Sequence, residues 1–137
     1  MNCIIPTLAL LACGFGATAR ETNPMLGSWD WNPVRGTCHE VHTYRADGTA
    51  ETRSGGEILQ KTYAVAPAGG TMYVVTATVV SGNGGLDCLG AMTRVGATSV
   101  VYIQPLNDGG QFTCASEDGM SCYGNARRIE AAAGATP

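Results

Sequence analysis

His39-Glu40-Val41-His42 is the densest group of side chains that could carry out chemistry, with two imidazoles around a carboxylate inside four residues. The order approaches the H-E-x-x-H zinc motif, which sets two histidines one helical turn apart with the glutamate as base. Here the second histidine comes one residue early. The flanking stretch, Thr37 to Ala46, alternates as a strand, so His39 and His42 point to opposite faces and cannot share an ion. The same alternation puts Cys38, Glu40, His42 and Tyr44 on one face. If that face is interior, Glu40 and His42 could act as general acid and base, or they could hydrogen-bond within the wall, to Tyr44, Tyr63 or an arginine. With no nucleophile beside them, the structural role is the reading adopted. Asp87, next to Cys88 in a glycine-rich stretch, reads as an acceptor for backbone N–H groups, and Glu117-Asp118 as a solvated turn. The sequence has no G-x-S-x-G elbow, phosphate loop or EF-hand loop. These residues predict neither an enzyme nor a bound cofactor or metal.

The elements that would position these groups are short strands. Gly27-Ser28-Trp29-Asp30-Trp31 holds both tryptophans at a spacing of two, which lays both indoles on one strand face with Asp30 on the other. Asp47-Gly48 predicts a two-residue hairpin, returning the chain through Thr49 to Ser54, and Ser54-Gly55-Gly56 turns it again. Strands are predicted over Glu57 to Ala66 and Thr71 to Val80. In the latter, Tyr73, Val75, Ala77 and Val79 make an apolar face suited to a core. Further strands are predicted at Leu86 to Arg94, Ser99 to Gln104 and Gln111 to Ser116. No stretch has the apolar period of a helix. About eight strands at spacings of about ten residues, joined by short turns, predict an all-β fold: a small antiparallel up-and-down barrel, disulfide-stabilised, with a lumen wide enough for side chains or one small ligand.

Composition narrows the partners. The 137 residues suffice for one domain with its own core. Charged residues are 14% of the chain and the net charge is −3, with no basic stripe for nucleic acid and no polybasic patch for a membrane surface. Residues 4–12 form an uncharged apolar run, too short to span a bilayer and suited to the core of a signal peptide. Two processing routes are open. Residues 1–19 could be removed after Ala17-Thr18-Ala19, or Leu10-Leu11-Ala12-Cys13, which resembles the lipobox of bacterial lipoproteins, could mark residues 1–12 as the signal and Cys13 as the lipidated residue. A polar lead-in, 20–26, then precedes a barrel domain at 27–129 and a flexible tail at 130–137.

Either route leaves Cys38, Cys88, Cys114 and Cys122, an even four without a Cys-x-x-Cys pair, which predicts two disulfides in an exported protein. Three pairings are formally open. In a barrel, Cys38 and Cys88 would meet at one rim while Cys114 and Cys122 flank a tight return, so these two pairs are expected.

Gly27-Ser28-Trp29 at the first strand, with Arg127 and Arg128 after the last, resembles the lipocalin or calycin pattern, in which a late arginine stacks on the indole of a G-x-W strand. The further T-D-Y motif of that family is absent. The spread of Cys38-x-Glu40, Asp47-Gly48-Thr49, Asp87-Cys88-x-Gly90 and Cys122-x-Gly124 is also similar to small exported bacterial proteins of unassigned function. The resemblance implies a barrel closed at one end by Trp29, Arg127 and Arg128. It also implies a binding module in the periplasm or on an outer-membrane lipid anchor, taking a small apolar or amphipathic ligand. Trp29, Trp31, Glu40, His42, Tyr44, Tyr63 and Tyr73 are the candidates for lining its site. An inhibitor of a protease or lysozyme, with a filled barrel and a rigid loop near 81–87, and an assembly subunit binding an envelope protein are the rival expectations.

Overall fold

The structure, a computed structural model, describes residues 22–130; the signal segment, Cys13 and the tail beyond Glu130 lie outside the described residues. Eight antiparallel strands form a closed barrel in sequence order: β1 (Gly27–Pro33), β2 (Glu40–Tyr44), β3 (Thr49–Ser54), β4 (Glu57–Pro67), β5 (Tyr73–Gly82), β6 (Thr98–Pro105), β7 (Gln111–Cys114) and β8 (Cys122–Arg128). The first and last strands close the ring, with Trp29 opposite Arg128 and Pro33 opposite Gly124. Each strand pairs with its neighbours in sequence, as short turns demand.

The number of strands matches the expectation, but the set differs. Leu86 to Arg94 is not a strand. It belongs to a loop between β5 and β6, residues 83–97, shaped by Asp87, whose carboxylate accepts from Leu89 N at 2.9 Å and Ala91 N at 2.8 Å. Those bonds curl the backbone into a turn, which a β ladder would forbid. In its place Cys122 to Arg128, poor in β-branched residues, forms β8, because pairing with β1 and β7 outweighs its weak local propensity. The hairpin after β2 is also longer than two residues. It turns over Arg45 to Gly48, with Gly48 in the left-handed region at φ 83°.

One end of the barrel is plugged. Met25, from a lead-in that reads as polar, is 1% exposed and packs with Val75 and Ile103 against Tyr44, Tyr63, Val65, Tyr73 and Val101. Asn23 fixes this crossing, its side-chain amide oxygen accepting from Met25 N and its Nδ2 donating to the Tyr63 hydroxyl. The opposite end carries three longer connections, residues 34–39, 83–97 and 115–121, and both disulfides, Cys38–Cys88 and Cys114–Cys122. The 83–97 loop folds back over the β3–β4 turn: Gly56 N donates to Leu86 O at 2.9 Å. The Glu57 carboxylate, only 3% exposed, accepts from Thr93 N at 2.7 Å and Thr93 Oγ1 at 2.9 Å. A buried carboxylate is thereby satisfied and the loop is held down.

Candidate ligand-binding site

Alternation along the strands delivers inward side chains that leave the middle of the barrel unfilled. A cavity of about 300 Å³ remains, at the low end of the range for small-ligand pockets. Trp29, Val75 and Ile103 form its apolar floor, and Trp31, Ala77 and Val101 its walls. Exposed Ser99 and half-exposed Tyr123 lie along it at the end away from the plug, marking the mouth. The mouth extends into the wall as a notch, because β7 pairs with β6 only from Tyr102 to Pro105 and leaves Thr98 to Val101 without a partner on that side.

The tryptophans are fixed differently. Trp29 Nε1 donates to Met25 O at 2.8 Å, and the Arg128 guanidinium lies 4.3 Å over its ring while Nη1 donates to Leu26 O. This cation–π contact covers the closed end. Arg127 is placed elsewhere: it points outward to Asp108 at 3.3 Å, since neighbouring residues on a strand face opposite ways. Trp31 Nε1 donates to Thr113 Oγ1 at 3.1 Å. Its indole lies against Gly124, where an added Cβ would collide with the ring, so this glycine sets the width of the upper chamber. Tyr123 meets Trp31 edge-on at 6.3 Å.

Glu40 and His42 do face the lumen. His42 Nε2 and Glu40 Oε2 are 2.8 Å apart, and His42 Nδ1 lies 3.3 Å from Thr52 Oγ1. The partner of Glu40 is therefore its own strand neighbour rather than a tyrosine or arginine. Burial pushes the Glu40 carboxyl up, but the His42 hydrogen bond and charge, with Ser54 and Lys61, outweigh it and leave the carboxyl below its ordinary value. His39 faces outward to Asp30 at 3.1 Å, so no zinc pair forms with His42. Ligating atoms of Cys38, Glu40 and Cys88 lie within 4.8 Å of one another, yet both sulfurs are spent in the disulfide and Glu40 is engaged by His42.

Tyr44 lines the cavity, stacked on His42 and edge-on to Tyr63. Burial, with a smaller contribution from the neighbouring Tyr63, Glu40 and Tyr123, pushes its phenol up to about 12. Tyr63 and Tyr73 do not line this cavity. Both pack at the closed end and border a separate groove of about 170 Å³ beside the lead-in. Tyr63 reaches past the lumen to donate to Arg45 O at 2.7 Å.

Sequence reading missed Lys61. It is the only lysine among eight cationic side chains and it lies on the cavity wall. Burial pulls its ammonium below the ordinary value, opposed by the charges of Glu40 and Glu57. The signal was present in the alternation of β4, where Glu57, Leu59 and Lys61 share a face.

Fold and site together define the chain as a small closed antiparallel β-barrel with a plugged floor and a partly polar lumen, an architecture compatible with a calycin-like barrel. No protein-family model, curated protein or solved structure matches it. The two disulfides suggest an oxidising compartment, periplasmic or extracellular.

Proposed function

We propose that this protein is an exported, lipocalin-like binding module of the cell envelope, in the periplasm or anchored through lipid at Cys13, which holds a small apolar or amphipathic ligand. The observation that carries the reading is the cavity of about 300 Å³, lined by two tryptophans and opening at the mouth end with its notch in the wall. A barrel built solely to pack would fill this space, since interiors close to nearly crystalline density. Both indoles border the space, so they report occupancy directly.

The test is tryptophan fluorescence of the disulfide-bonded protein, titrated with medium-chain alcohols and carboxylates, together with native mass spectrometry of protein purified from its own envelope. Saturable quenching or a blue shift, and a released small molecule, support a carrier. Emission unmoved by any of these probes, with a bare mass, would overturn it.

A second reading, docking on an envelope protein as an assembly subunit or inhibitor, is favoured by the mouth end itself. Val34, Leu86, Leu89, Met92, Val95 and Met120, on its three longer connections, are all more than half exposed. Pull-down with the mouth-end loops altered would separate the two.

A further inference from the structure

We infer that the cavity is selective for a compact carboxylate amphiphile of about ten non-hydrogen atoms, its anionic head seated between Lys61 and Tyr44. The inference rests on the binding-module reading and names the chemistry of the occupant.

Three observations carry it. First, the other charged group of the lumen is already engaged: Glu40 by His42, which in turn meets Thr52. The Lys61 ammonium takes part in none of the ion pairs or side-chain hydrogen bonds among the described residues. The Tyr44 hydroxyl likewise has no hydrogen bond among them. Second, the ladder brings these two donors together. Tyr44 and Lys61 both pair with Ala50, one from each side, so they flank a residue with almost no side chain, and both line the cavity. A half-buried ammonium and a half-buried hydroxyl on strands flanking one alanine make an anion seat, and a carboxylate there would gain charge-assisted hydrogen bonds in a site partly shielded from water. Third, the carboxylate that lines the cavity among the described residues, Glu40, stands toward the mouth. Glu40 is four residues nearer the mouth than Tyr44 on the same strand, about 13 Å of backbone; its charge still reaches Lys61 and Tyr44 and is answered in part by His42. At about 30 Å³ per water-sized group, a space of about 300 Å³ admits about ten such groups. The head meets Lys61 while the apolar body lies along Val75, Val101 and Ile103.

Octanoate and 1-octanol have matched bodies and different heads. Titration calorimetry of the full chain, disulfides intact, is expected to give at least about tenfold tighter binding of octanoate. Lys61→Met should remove that preference and leave octanol binding unchanged. Octanol bound as tightly as octanoate, or a preference that survives Lys61→Met, would overturn the carboxylate assignment while leaving a ligand-binding barrel standing. Failure of both probes to bind would overturn the assignment and the reading beneath it. Should Lys61→Met not fold, reductive ¹³C-methylation of the wild-type protein answers the same question, because the chain has one lysine and the modified amine keeps its charge. Octanoate should shift the Lys61 dimethylamine resonance and octanol should not; an unmoved resonance under octanoate counts against the seat.

Discussion

Tyr44 shows how much a single position in this barrel is governed by burial. Its phenol is pushed up to about 12, so the folded state holds the neutral form where an unfolded chain, with a tyrosine near 10, would ionise. A group whose folded value is raised contributes stability that is complete below the unfolded value and is lost as pH climbs through the folded one. Stability should therefore decline from about pH 10 toward pH 12. In absorbance titration of the tyrosines Tyr44 should ionise last, and Tyr44→Phe should abolish that late phase; a single phase near pH 10 in the wild-type protein would refute the assignment. Residues on clean strands were the most legible. The inward set Glu40, His42, Tyr44 and the face of Val75, Ala77 and Val79 follow from alternation alone. The lining role assigned to Tyr63 and Tyr73 did not transfer, because alternation gives the face of a strand and not the height in the barrel, and both stand at plug level. Lys61 was missed because its type reads as surface until a cavity is known to receive it.

At the scale of elements, the connections decide how far the mouth is held in shape. The Cys38–Cys88 bond closes a separation of 50 residues and Cys114–Cys122 one of 8. On chain entropy alone the first restrains the unfolded state by about 4 kcal/mol and the second by about 2.5 kcal/mol. Replacing Cys38 and Cys88 together by alanine should lower the urea midpoint more than replacing Cys114 and Cys122. It should also raise amide exchange in 83–97, where the Gly56 and Glu57 contacts would then hold the loop alone. Equal losses, or unchanged exchange, would show that those contacts suffice. The pairing was legible because each cysteine sits beside a turn at the same rim, even though Cys88 belongs to a loop and not to the strand expected there. That loop misled because its Leu86, Leu89 and Met92 suggest a sheet while Asp87 and Gly90 dictate a turn. β8 was overlooked for the converse reason: only pairing with β7 on one side and β1 on the other makes Gly124-Asn125-Ala126 extended.

For the molecule as a whole, closure removes every full-length edge, and the apolar exposure concentrates at one end. Leu89 is 80% and Met120 87% exposed. Replacing both with lysine should leave the urea midpoint nearly unchanged, within about 0.5 kcal/mol of stability, and should raise the concentration at which sedimentation shows a monomer. A large loss of stability would mean that these side chains pack after all. An all-β barrel was legible from the rhythm of strands and turns, whereas the hollow was not, since filled and hollow barrels share the same alternation and differ in side-chain volume at a few rows.

The ring is closed by its own two ends, Trp29 opposite Arg128 and Ile129 N donating to Ser28 O at 2.8 Å. Residue 130 and the lead-in consequently both lie at the plugged end, residue 22 across it in the groove beside Gly48 and Tyr63, with the full height of the barrel between them and the mouth. Any handle joined to either end, whether a solid support, a dye or a fused reporter, would hold the barrel upright with its cavity facing solution. The chain is thereby a ready receptor for an oriented sensing layer, in which two native indoles provide the signal.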